Sequence, residues 1–100
     1  MQTSSGVTGV KVQTAADKTA PTGTPEPVIA STPTVLATHG VIVQALAANT
    51  DKVRVGDQNI SSTRGTELTP GNSVTFLVRD PSQVFCLGLS AGQKVSISWV

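Results

Sequence analysis

The chain has 100 residues, 38% of them apolar, 13% charged and 3% aromatic, with a net charge of +1. That is the length of one small domain, and its charged share is about half the roughly 25% of an average soluble domain; 14 Thr and 10 Ser take the vacant polar positions. Such a composition suits a β-rich protein with uncharged polar faces and argues against a charged helical bundle, and without a basic run nucleic acid is not an expected ligand.

Residues 1–38 contain nine Thr, three Ser, four Pro, three Gly and no aromatic residue. Met1 to Gly6 show no basic segment leading into an apolar one, so no signal peptide is expected, and with a single cysteine a reduced cytoplasm is the expected place of synthesis. Pro21, Pro25, Pro27 and Pro33 remove backbone donors, which disfavours a helix or a central strand. Val7-Thr8-Gly9-Val10-Lys11-Val12 alternates weakly, as an edge strand does. Thr22 to Pro27 reads as an extended, polyproline-like segment. Alone, residues 1–38 bury too little apolar area to fold. They are either a disordered tail or an arm that orders along another subunit. Val7, Val10, Val12, Val28, Ile29, Val35 and Leu36 favour the arm, because strand addition to a partner uses such residues.

Residues 39–100 alternate short β-branched runs with turn signals. The expected strands are Val41 to Leu46, Lys52 to Val55, a short one at Asn59 to Ser61, Ser73 to Arg79, Val84 to Leu87 and Lys94 to Val100, with Glu67-Leu68 leading into a turn at Pro70-Gly71-Asn72. Pro70-Gly71 predicts a type II turn, with Gly at the position of positive φ. Val74, Phe76 and Val78 share one face, as do Val95, Ile97 and Trp99. Val84 to Leu87 is nearly all apolar and predicts burial on both faces. The longest apolar run, Val41 to Ala48, contains Gln44 and is too short to span a bilayer, so no membrane partner is expected. The fold class is therefore all-β: a small antiparallel sandwich or barrel over about 39–100, after an extended Thr/Pro-rich arm at 1–38.

The chemistry-bearing residues are scattered. His39 and Cys86 lie 47 residues apart, so no metal motif is formed. Cys86, between Phe85 and Leu87, reads as a buried thiol, and a single Cys forms no intrachain disulfide. Ser61-Ser62-Thr63 have no base at a recognisable spacing. Asp51, Asp57, Glu67 and Asp80 sit in separate turns, where capping is the default role. Arg54, on a Val-bearing strand, is expected to reach water or an intersubunit carboxylate. No catalytic residue, metal or cofactor is expected, and the chain reads as a non-enzyme.

A β domain of residues 39–100 is marginal by itself, which points to oligomerisation or docking on a larger partner. Trp99 near the chain end is expected to be tied into a sheet or an interface. Phe76, Phe85 and Trp99 are accordingly the candidate core or oligomer-interface residues.

Five pieces in order carry a resemblance: Val43-Gln44-Ala45-Leu46 with Asn49-Thr50, Val53-Arg54-Val55-Gly56, Leu68 to Thr75, Asp80 to Val84, and Ala91 to Ser96. Together they resemble small structural modules of tailed-bacteriophage virions, over about 60 residues. The resemblance implies a capsid decoration (cement) protein on the capsid surface. Its partners would be the major capsid protein and itself, as a homotrimer. The alternative it implies is a head-fibre or tail-fibre module that binds host surface glycans.

Overall fold

A computed structural model describes residues 11–100. The chain forms two four-stranded antiparallel sheets that pack face to face. In chain order the strands are β1 (Gln13–Thr19), β2 (Glu26–Pro27), β3 (Val41–Ala45), β4 (Val53–Gly56), β5 (Thr66–Leu68), β6 (Ser73–Phe76), β7 (Phe85–Gly88) and β8 (Lys94–Trp99). A 3-10 turn, Pro81–Gln83, precedes β7. The first sheet has the order β1-β8-β3-β6 and the second β2-β7-β4-β5. The all-β sandwich read from the sequence is the fold observed.

Alternation explains why these strands form. On β3, Val41, Val43 and Ala45 are buried while Ile42 and Gln44 are exposed. On β8, Val95, Ile97 and Trp99 turn into the core. Opposite them lie Val53 and Val55 of β4, Leu68 of β5 and Cys86 of β7. Side chains of period two on facing sheets give one continuous apolar layer. The turn between β5 and β6 has the expected geometry: Gly71 has φ +90°, and the Asn72 N–H donates to the Thr69 carbonyl at 2.9 Å.

Residues 11–38 are extended, but those described from Gln13 onward lie against this chain's own body. β1 pairs with β8 and β2 with β7. Ala20, Val28 and Ala37 are core residues, each 3% exposed or less. The chain crosses from the first sheet to the second at Pro21-Thr22-Gly23, held by the Ala20 N–H on the Gln93 carbonyl and the Gly88 N–H on the Pro21 carbonyl, both 2.8 Å. Residues 28–38 then run back over one end of the sandwich. The Val28 N–H donates to the Val84 carbonyl at 2.8 Å, and the Ala37 N–H to the Arg79 carbonyl at 2.7 Å.

Four expectations are corrected. The change of composition near residue 39 is not a structural boundary, because β1 and β2 complete both sheets from its N-terminal side. The argument from a marginal β domain at 39–100 loses its premise for the same reason. The strand expected over Ser73–Arg79 stops at Phe76, since β3 offers no partner before Val41. Asn59 to Ser61 forms no strand either. It lies in a loop closed by a Ser61–Arg64 bridge, with Ile60 packed on Gly56 and Gly65.

Candidate assembly surface

The outer face of the first sheet is assembled from all four of its strands. Register places Thr14, Ser98, Ile42 and Thr75 in one row, and Ser96, Gln44 and Ser73 in the next. The charged residues of this face lie at its margins: Lys94 at one, and the exposed Asp17 in the β1 bulge beside Ser96 at another. The rest is hydroxyl, amide and the exposed Ile42. On β3, β6 and β8 these residues are outward because their neighbours along the strand are the apolar ones the core requires, and Thr14 is outward because β1 sets it opposite Ser98.

The arm residues fall into three groups. Val7 and Val10 lie outside the described residues. Val28 is 3% exposed and Ile29 packs against the core, so in this fold both serve the chain's own interior and are not offered to a partner. Val12 (67% exposed) and Val35 (50%) remain at the surface, and Leu36 is half-buried.

Of the three aromatic residues, Trp99 is buried, and its indole Nε1–H donates to the Val35 carbonyl at 2.8 Å, clamping the returning segment over the sandwich end. Phe76 is half-buried at the margin of the core. Phe85 is not a core residue. Cys86 takes the inward position on β7, which puts Phe85 on the outer face of the second sheet, opposite Pro27 and Gly56.

Four charged residues are held within the chain. Arg54 donates from Nη1 to the Gly65 carbonyl at 2.9 Å and pairs with Glu67 at 3.4 Å. Its carboxylate is therefore intrachain, because β5 lies beside β4. Asp80 caps the 3-10 turn by accepting the Ser82 N–H at 2.9 Å, and it accepts the Thr32 hydroxyl at 2.7 Å. The Thr32 and Ser82 hydroxyls hold its carboxyl below the usual range. Asp51 is lowered likewise, first by the Ser90 hydroxyl and then by the Lys52 N–H.

Cys86 has no exposed surface, and burial pushes its thiol up to about 11; the neighbouring Lys18 opposes that rise and Glu26 adds to it. The thiol is thus protonated at neutral pH and is a poor nucleophile. Among the described residues no group of three His, Cys, Asp or Glu side chains is placed to hold a metal ion. A cleft of about 410 Å³ opens beside Leu87, Gly88 and Leu89, bounded by Thr22-Gly23 and Ile60-Ser61-Ser62. Its hydroxyls can hydrogen-bond a polar group, but its lining has no ionisable side chain for acid or base work.

Sequence reasoning missed Gln93, to which it gave no role. Gln93 is 2% exposed. Its Oε1 accepts the Thr50 and Asp51 N–H groups at 2.8 and 2.9 Å, and its Nε2 donates to Thr50 Oγ1 and the Ala91 carbonyl, each at 3.1 Å. Asn49 matches it, holding the backbone of Lys94 through both ends of its amide at 2.8 and 2.9 Å. The two amides lock the β3–β4 turn to the β7–β8 turn.

Comparison of the chain with protein-family models, curated proteins and solved structures finds no match.

Proposed function

We propose that the chain is a non-enzymatic structural protein of a tailed-phage virion, a decoration protein that stabilises the shell by bridging major capsid subunits. The observation that carries this reading is the outer face of the first sheet, where Thr14, Ile42, Gln44, Ser73, Thr75, Ser96 and Ser98 form a broad surface with charge only at its margins, at Lys94 and at Asp17 of the β1 bulge. Covering the centre of such a face leaves no ion desolvated, whereas burying an unpaired charge is costly. Interface centres are depleted in charge for this reason. The ordered likeness to small phage virion modules adds to it, since its pieces fall on β3, β4, β6, β8 and the turns that Asn49 and Gln93 tie together.

The mechanism is cross-bracing. Each copy makes modest contacts with more than one capsid subunit, and many contacts at fixed geometry act together. Val12, Val35 and Leu36 supply apolar contacts at one end of the sandwich.

The test compares empty heads of the encoding phage with and without added protein in a heat-disruption assay. Decorated heads should rupture at higher temperature. A Gln44→Glu, Ser96→Glu double variant should fold, bind at least about tenfold more weakly and give no protection, because it places two charges at the centre of the contact. Heads that neither bind nor gain resistance contradict the reading. Binding to host-cell glycans and not to heads would move the chain to the fibre class.

A further inference from the structure

The four edges of the sandwich are not equivalent. β1 has a register shift between Ala15 and Lys18, and carries Asp17 and Lys18. β2 is two residues long and ends in Pro27. Lys18 Nζ meets Glu26 Oε1 at 2.5 Å and closes the gap between these two edges. β5 is three residues long, and its central Glu67 pairs with Arg54 and Lys52. Bulges, prolines, charges and shortness are the means by which sheets keep their edges from pairing. β6 has neither charge, proline nor bulge. Ser73-Val74-Thr75-Phe76 pairs with β3 in unbroken register, has no strand on its other side among the described residues, and runs on into the uncharged Leu77-Val78.

The register also shows what that edge presents. The Ala45 N–H donates to the Asn72 carbonyl, which puts the hydrogen-bonded pairs of β3 and β6 at Val43–Val74 and Val41–Phe76. The backbone N–H and C=O groups of Ser73 and Thr75 therefore point away from β3, to the free edge. Val74 and Phe76 face inward yet are only half-buried, while Leu77 is 85% exposed. Beside them a cleft of about 260 Å³, lined by Gly56, Asp57, Phe76, Val78, Gln83 and Val84, leaves this side of the sandwich open.

We propose that β6 is a self-docking edge: β6 of a second copy adds to it antiparallel, about a two-fold axis at Thr75, and fuses the two first sheets into one. Thr75 then lies opposite its own counterpart, Ser73 opposite Leu77, and Val74 opposite Phe76. A second copy is the occupant because this edge is complementary to itself. It is uncharged throughout, so two copies meet without repulsion, and one set of residues serves both halves of the contact. The outward groups of Thr75 bond to one another across the axis, and the Val74–Phe76 pairs cover the apolar opening. The contact is independent of the virion reading, since it forms in solution without shells.

The experiment measures the mass of the full chain by light scattering over a concentration series, together with hydrogen exchange at the Ser73 and Thr75 amides. The expected result is a mass rising to twice the 10.2 kDa of one chain, with both amides slowed in the assembled species. Thr75→Lys sets like charges opposite each other at an exposed position, so it should keep the native Trp99 fluorescence and weaken association at least about tenfold. Wild-type protein that stays at one chain mass up to about 1 mM, the weak end of specific binding, overturns the proposal. So does an assembly of any size that Thr75→Lys leaves intact and in which these amides exchange freely.

Discussion

Gln93 carries more of the loop architecture than any charged residue. It is a neutral side chain with all its hydrogen-bonding groups met in a buried place, and a buried donor left without its partner costs about 1–3 kcal/mol. Gln93→Ala orphans the Thr50 and Asp51 N–H groups together. It should lower unfolding stability by about 2–4 kcal/mol in a denaturant titration. Surface ion pairs such as Lys52–Glu67, at 3.8 Å, contribute at most about 1 kcal/mol by comparison.

Cys86 predicts a dependence on alkaline pH. Its thiol ionises near 9.0 when unperturbed and at about 11 in the fold. Below pH 9 both states hold the proton, and stability is full. Between pH 9 and 11 the unfolded chain loses the proton first, so stability should fall, by on the order of 2–3 kcal/mol. Cys86→Ala, weaker at neutral pH, should lack that decline. Parallel pH profiles for the two proteins would show that the decline comes from another group.

Among the elements, the strands that were legible in the sequence are those that bury alternate side chains. β3 and β8 are examples, with Val41, Val43, Ala45 and Val95, Ile97, Trp99 facing the core. β1 was illegible for a physical reason. Gln13-Thr14-Ala15-Ala16-Asp17-Lys18-Thr19 has no apolar alternation, because an edge strand with a bulge is held mainly by backbone bonds to β8. Val28 and Ala37 were illegible as core because single buried residues among prolines and threonines have no period. Gln93 was hidden because its partners lie more than 40 residues away. The outer face, in contrast, followed from the alternation itself, although which strands lie side by side on it did not.

This assignment of β1 and β2 carries its own test. Deleting residues 1–38 removes one edge strand from each sheet and takes Ala20, Val28 and Ala37 out of the core. The remainder should show no cooperative thermal transition by circular dichroism. A sharp transition with a β-type spectrum would mean that residues 39–100 fold alone and that the N-terminal segment is an accessory.

At the scale of the whole molecule, the sandwich is sealed on one side and open on the other. The Lys18–Glu26 pair and the bulge close the β1–β2 side, while among the described residues no strand pairs with the outer edge of β6, and Val74 and Phe76 are half-covered. One broad face is hydroxyl-rich and nearly uncharged. An uncharged face beside an open edge suits a protein that works as many copies against a large surface, where each contact is modest and the sum is not. The most direct measurement is size exclusion with light scattering of the purified protein, alone and mixed with empty heads. Co-elution of many copies per head, saturating as protein is added, is the predicted result. Protein that stays in its own peak at every ratio would contradict the assignment to the shell.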